Sequence, residues 1–310
     1  AVQAAGSAIG RSGIWCVLMA AMSPLAQGWV KCDALTLTGR GVNQKLQTKE
    51  NTMLEGKSAV ITGASQGIGA GIALHFARAG ADVMLVARSA DKLDALAADI
   101  TRETGRKATG FAVDLREEDS GDRVIAAALE AFGKLDIVAC SAGATKRGDF
   151  FELTEADFMD GFALKFHHMV RVTRAAWPHL VKSGGNVVNI IGAGGRTPGA
   201  DFTIGGPVNS ACMNFTKAMA DRGISEGVRV NAINPGPVRT PRLEGNVERI
   251  SKERGITKEE ALDVFRQQFG VTRVGEIDDI ARMAVFLASE EGSLMQSAIV
   301  DMDGGATKGL

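Results

Sequence analysis

Lys57-Ser-Ala-Val-Ile-Thr-Gly-Ala-Ser-Gln-Gly-Ile-Gly-Ala-Gly71 decides the fold of this chain. Ser58 to Thr62 is a short run of apolar and β-branched residues, the pattern of a buried strand. Gly63, Gly67 and Gly69 follow. After them Ile68, Ile72, Leu74 and Phe76 recur at roughly helical spacing. Strand, glycine turn and helix in this order form the setting of a dinucleotide-binding loop. Glycine permits the tight turn and lets backbone N–H groups approach a pyrophosphate, and the helix start adds free donors and partial positive charge. Gly63, Ser65, Gln66, Gly67, Ile68 and Gly69 are therefore candidate cofactor contacts.

Outward from this loop, short apolar runs alternate with amphipathic segments. Strands are expected at Val83 to Ala87, Gly110 to Val113, Leu135 to Cys140, Asn186 to Ile191, Arg229 to Ile233 and Ala298 to Val300. Such alternation predicts an α/β fold, a doubly wound parallel sheet of the Rossmann type in a single domain. Residues 1 to 52 differ. They are rich in Ala, Gly, Ser and Gln, and Ile14 to Leu25 is apolar with Arg11 ahead of it. A targeting peptide and an upstream extension with little fixed structure both fit this composition. Met53-Leu54-Glu55-Gly56-Lys57 looks like a start, so the extension is the preferred reading and 53–310 the folded domain.

A 310-residue chain with 45% hydrophobic and 23% charged residues has ample material for one large core. Its net charge of −1 gives no electrostatic footprint for nucleic acid. No apolar run reaches the 18 residues of a membrane span. Cys16, Cys32, Cys140 and Cys212 lack metal-type spacing, so no metal site is expected and reduced thiols in the cytoplasm are. The chain contains no tyrosine.

Ala87-Arg88-Ser89 closes the second strand. An acidic residue at the end of this strand normally bonds the adenosine ribose, whereas an arginine nearby accepts a 2′-phosphate. Arg88 stands 88 − 63 = 25 residues after the first glycine, beside Ala87. A guanidinium clamps phosphate with charge-assisted bonds, so the expected cofactor is NADP.

Thr62-Gly-Ala-Ser-Gln-Gly-Ile-Gly69 resembles the short-chain dehydrogenase/reductase family, and later motifs extend the resemblance over about residues 53 to 305. The resemblance implies an adenine contact from Asp114-Leu115, although Asp114 also suits a helix N-cap before Arg116. It implies a cofactor-facing turn at Cys140-Ser141-Ala142-Gly143, with Ser141 standing where the family has an amide. Cys140 itself reads as a small buried hydrophobe. Pro235 and Gly236 in Asn234-Pro-Gly-Pro-Val-Arg-Thr240 match the turn that lines the nicotinamide. Arg239 to Phe269, broken at Gly255, resembles the mobile substrate lid.

Members of this family work with Ser, Tyr and Lys, assisted by Asn. Aligned on Asn214-Phe-Thr-Lys217, the Tyr position falls on Gly205, the Lys position on Asn209, the Ser position on Gly192 and the Asn position on Lys165. The glycines offer no proton donor and should leave space. Lys165 then points into the site, where desolvation would lower its pKa towards acid–base use. Asn209 is the candidate ribose ligand. His168, three residues beyond Lys165, is close enough on a helix to meet it, or else it packs between helices with His167. Asp201, Thr203 and Ser210 are weaker candidates. The expected function is NADP-dependent oxidation or reduction of a small carbonyl or alcohol substrate. A dinucleotide-binding regulatory protein and a non-redox lyase or isomerase remain open. Helices buried on two faces, as in Met159 to Trp177, together with the resemblance imply a homotetramer.

Overall fold

A computed structural model describes residues 52–308. The proposed extension, including Cys16 and Cys32, lies almost wholly outside the described residues. Seven strands form one parallel sheet in the order β3-β2-β1-β4-β5-β6-β7. They are β1 (Ser58–Thr62), β2 (Asp82–Ala87), β3 (Ala108–Ala112), β4 (Ile137–Cys140), β5 (Asn186–Ile190), β6 (Arg229–Pro235) and β7 (Ile299–Met302). The expected doubly wound α/β sheet is therefore present. Its strand order reverses between β1 and β4, where an open parallel sheet leaves a crevice at its carboxyl edge.

Nine α-helices among the described residues follow the chain: α1 (Gly67–Arg78), α2 (Ala90–Thr104), α3 (Ser120–Phe132), α4 (Glu155–Phe162), α5 (His168–Ser183), α6 (Gly205–Glu226), α7 (Pro241–Arg254), α8 (Lys258–Phe269) and α9 (Ile277–Ala288). Ile61 and Leu85 pack with α1, α2 and α9 residues such as Ile72, Phe76, Leu93 and Ile280. Val60 and Val138 face the other side, against Val124, Met169, Leu180 and Val208 of α3, α5 and α6. Adjacent strand residues thus feed opposite cores, and both faces are dry. That is why the strands read as continuous apolar runs rather than alternating ones.

Only β1 keeps its expected limits: β2 gains Asp82, β4 starts at Ile137, β5 stops at Ile190, and β3, β6 and β7 shift as follows. β3 begins at Ala108 because the β2 ladder pairs Val83 with it, although Ala-Thr-Gly carries little apolar signal. β6 continues to Pro235 because Asn234 and Pro235 pair with Asp301 and Met302. That pairing also moves β7 to Ile299–Met302. The ladder, not the hydropathy, sets these ends.

At the switch point the turn after β1 is pressed against the turn after β4. Gly63 has φ +70°, and a Cβ there would lie 2.7 Å from Ala142 Cα. Both the conformation and the space demand glycine. The Thr62 hydroxyl accepts from the backbone N–H of Ser141 (3.0 Å) and of Ala142 (3.2 Å). Among the described residues no helix is long and apolar enough to cross a membrane.

Candidate active site

The crevice is lined by the turns that leave β1, β4, β5 and β6. Gly67 opens α1 with φ +62°, and a Cβ there would meet only Thr240, with Cγ2 at 3.6 Å. The N-cap, Gln66, is extended and supplies no side-chain cap, and no acidic residue stands in the first turn. The orphan N–H groups of this helix end are therefore free for an anion. Gly69 differs from Gly67: a Cβ on it would lie 2.4 Å from the Gly63 carbonyl. Its glycine is needed for packing of the loop on itself, as Gly63 is for packing on Ala142. Ser65 and Ile68 are half-buried beside them.

Arg88 is exposed at the end of β2 and makes no hydrogen bond or ion pair with a described residue. Asp114 lies within its electrostatic reach. The N-cap reading of Asp114 is corrected: α3 begins only at Ser120, with Asp119 at its cap. Asp114 instead accepts from the Arg116 backbone N–H at 3.0 Å and from the Arg116 guanidinium. Burial pushes its carboxyl up, but the bonds from Arg116 outweigh this and hold it below the ordinary range. Leu115 next to it is buried.

Lys165 lies in a five-residue π-helical turn, Ala163–His167, between α4 and α5. Such turns widen the helix by one residue and are frequent at functional sites. The Lys165 ammonium donates to the Ile191 carbonyl at 2.6 Å. Its stem runs against Gly143, whose added Cβ would fall 3.0 Å from Lys165 Cδ. Gly143 thus makes room for this lysine, beyond any approach to a cofactor. Desolvation lowers the Lys165 pKa to about 8, and the nearby Arg242 charge pushes the same way.

His168 does not meet Lys165. The widened turn directs it to the Thr62 hydroxyl, 3.2 Å from Nε2, and it is fully buried while His167 is exposed. Burial drives its pKa down to about 4. Cys140 is a buried free thiol pushed up to about 12 by burial, which suits a core residue and not a nucleophile.

Positions 192, 205 and 209 come together as the alignment placed them, but the space is not empty. Asn209 is 3% exposed, its Oδ1 has no partner, and its Nδ2 lies 3.2 Å from where a Gly192 Cβ would be. The Phe202 ring occupies the rest. Added Cβ atoms would lie 1.9 Å from Phe202 Cζ at Gly205 and 2.7 Å from Phe202 Cε1 at Gly194. The expectation that glycine leaves a void is corrected: the two glycines form a slot, and an aromatic ring fills it. Arg147 stacks over that ring at 4.3 Å and pairs with Asp201 at 2.7 Å. Ser210 donates to the Gly195 carbonyl, and Thr203 Oγ1 is buried without a partner.

Pro235 ends β6. Gly236 is pressed on Asp303: a Cβ added to it would lie 2.6 Å from Asp303 Cα. Asn234 accepts from Gly192 N–H at 3.3 Å and donates to Asp301 at 2.8 Å, tying the β5 and β6 turns. The segment resembling a lid forms α7 and α8, which share a small core of Leu243, Val247, Ile250 and Ala261. Gly255 is the left-handed C-cap of α7. Arg242, at the start of the lid, donates to the Gly143 carbonyl at 3.2 Å. Phe202, Arg147 and Arg242 escaped the sequence reading; an aromatic residue three before a glycine helix start was the available signal for the first.

Fold and crevice define a dinucleotide-binding α/β protein. The family model described as enoyl-(acyl carrier protein) reductase matches residues 63–307. An uncharacterised oxidoreductase of Mycobacterium tuberculosis is 37% identical over 82% of this chain and 93% of its own. Oxidoreductase UcpA of Salmonella typhimurium is 33% identical over 82% and 95%. L-Sorbose reductase of Gluconobacter frateurii, solved with NADPH and L-sorbose, superposes with a TM-score of 0.81 at 29% identity, over 84% of this chain and 100% of that one. The chain belongs to the short-chain dehydrogenase/reductase family.

The slot yields a stability prediction. Gly205→Tyr should expel Phe202 and cost about 1–3 kcal/mol as an overpacking change. Adding Phe202→Ala should recover at least half of that in denaturant melts. A Gly205→Tyr protein as stable as the parent would contradict the packing described.

Proposed function

We propose that this protein is an NADP-dependent oxidoreductase acting on a small carbonyl or alcohol substrate, with Lys165 as the acid–base group. The observation that carries the reading is the Lys165 ammonium, desolvated to a pKa of about 8 and held at the crevice by one carbonyl. A general acid works best with a pKa near the operating pH.

The residues present suit the dinucleotide. Uncapped donors of α1 and the open Gly67 would hold the pyrophosphate, with Ser65, Gln66 and Ile68 around it. Unpaired Arg88 would hold the 2′-phosphate, Asp114 and Leu115 the adenine, and Ser141, Gly143, Pro235 and Gly236 the nicotinamide side. The buried, unpartnered Asn209 Oδ1 would accept from the ribose. When bound, NADPH supplies the hydride to the carbonyl carbon. Lys165 then gives a proton from Nζ to the carbonyl oxygen, and water restores it. The Ile191 carbonyl fixes the direction of the ammonium.

A second reading, a binding protein or a lyase or isomerase without redox turnover, draws its support from Phe202 filling the slot beside Gly205. Substrate turnover separates the two. The solved relatives include reductases bound to NADPH, which favours the first. Assembly as a homotetramer goes with this reading, supported by apolar Val181 and Ile224, 40% and 71% exposed on α5 and α6. A reducing cytoplasm suits the buried free thiols Cys140 and Cys212.

NADPH should bind at least tenfold tighter than NADH, and Arg88→Ala should erase that preference; tenfold is about 1.4 kcal/mol, within one charge-assisted contact. Fluorescence titration of both cofactors decides this. Reduction should lose rate as pH rises through about 8, where Lys165 gives up its proton. Lys165→Met should lower kcat by about 10² or more and abolish that limb, with NADPH affinity changed no more than a few-fold. An intact rate in Lys165→Met removes the lysine from the mechanism. Light scattering at micromolar concentration should give four times the chain mass, and a monomer would count against the assembly.

A further inference from the structure

Two cations face the same residue of the crevice, and neither has a carboxylate. Arg242 bonds the Gly143 carbonyl at 3.2 Å, and the Lys165 stem lies against the Gly143 α-carbon. Their only polar partners among the described residues are main-chain carbonyls, those of Gly143 and Ile191. The neighbouring arginines are different. Arg147 is paired with Asp201, Arg196 with Asp301, and Arg239 with Glu244 and Glu276. Two cations without a carboxylate partner over one glycine, Lys165 half-buried and Arg242 exposed, can both donate to one anion. Burial is the main cause of the lowered Lys165 pKa, and the nearby Arg242 charge adds to it.

The donor count narrows the anion. An ammonium has three N–H bonds. One of those on Lys165 goes to Ile191, which leaves two. If one serves the reacting carbonyl oxygen, the other is free for an adjacent acceptor. A 2-oxo acid presents such a pair: its keto oxygen and one carboxylate oxygen lie on neighbouring carbons and face one donor together. A planar guanidinium then takes the same carboxylate in a forked contact. Arg242 stands at the start of the lid, so this contact would also draw the lid over the substrate.

We propose that the substrate is a 2-oxo acid, or in reverse a 2-hydroxy acid, whose carboxylate is held between Lys165 and Arg242 above Gly143. In the forward direction the keto carbon gains hydride, its oxygen gains a proton from Lys165, and the nicotinamide is oxidised. The proposal rests on the oxidoreductase reading for its turnover but not for its binding step.

The experiment has two arms. In the first, NADPH oxidation is followed with pyruvate, 2-oxobutanoate and phenylpyruvate and with their methyl esters. The acids should exceed the esters in kcat/KM by at least a hundredfold, and Arg242→Gln should shrink that ratio at least tenfold while Arg242→Lys keeps part of it. Equal rates for acids and esters overturn the proposal. So does an Arg242→Gln variant whose loss is the same for both classes and is matched by weaker NADPH binding, since Arg242 would then serve the cofactor's phosphates. In the second arm, oxamate is titrated calorimetrically into the NADP-saturated protein. Binding that Arg242→Gln removes supports the anion site even if no carbonyl compound is reduced, in which case only the oxidoreductase reading fails. Absence of oxamate binding overturns the anion site whatever the turnover shows.

Discussion

The hydroxyl of Thr62 is the point on which the crevice depends. It accepts from two successive N–H groups, Ser141 and Ala142, at the end of the neighbouring strand. Its own proton is then left for His168 Nε2. Gly63 pressed on Ala142 completes the contact. One side chain thus joins the ends of β1 and β4, where the strand order reverses, to the start of α5. The two turns that would embrace a dinucleotide are fixed relative to each other by these bonds. The network is satisfied at Thr62 but not throughout, since the buried His168 Nδ1 has no partner.

The same network settles the protonation of the imidazole. A Thr62 hydroxyl that donates to Nε2 requires the proton to sit on Nδ1. Nδ1 faces the carbonyls of Leu164 and Lys165, which favour a charged ring, but makes no hydrogen bond of good geometry with either. Burial wins, and His168 stays neutral down to about pH 4. The unfolded chain takes up this proton below the ordinary value of 6.5, so His168 withdraws stability as pH falls from about 6.5 to 4. Lys165 follows the same sign at higher pH. Its folded pKa lies below the ordinary 10.5, so its charge costs stability below about 8, and that cost fades as pH rises to 10.5. A residue that costs the fold energy at neutral pH needs a reason to be there, and an acid or an anion ligand at the crevice is such a reason.

The fold was legible because the inner strands β1, β2 and β4 are buried on both faces and carry nearly unbroken apolar runs. The glycine loop, the lid with its Gly255 break and the placement of Arg88 were legible because turn chemistry and charge act locally. What the sequence hid is tertiary. Nothing in Ala163 to His167 announces a π turn, and without it the three-residue spacing of Lys165 and His168 implies a contact that does not form. Nothing near Asp114 reveals that Arg116 takes its carboxylate before a helix can. The β7 limits follow from pairing with β6, a partner far off in sequence, since Asn234 meets Asp301 (301 − 234 = 67). Gly205 reads as missing function until the Phe202 ring packed between it and Gly194 is seen.

That ring bears on where an acid can stand. Of the α6 residues aligned with the family's catalytic positions, Asn209 carries an amide that is no acid, and the space beside Gly205 is held by Phe202. On the oxidoreductase reading proposed above, the proton donor comes from another element. The π turn offers a candidate for that role, because it places Lys165 against Gly143 and the Ile191 carbonyl, while His168 bonds the Thr62 hydroxyl. An ordinary α-helical turn would place residues 165 and 168 on one face and bring a second titratable group beside the first. Two such groups in contact share their protons and titrate as a pair. By separating their side chains, the widened turn leaves the imidazole on Thr62, kept neutral chiefly by burial and also by the Lys165 charge, and turns the ammonium towards the crevice.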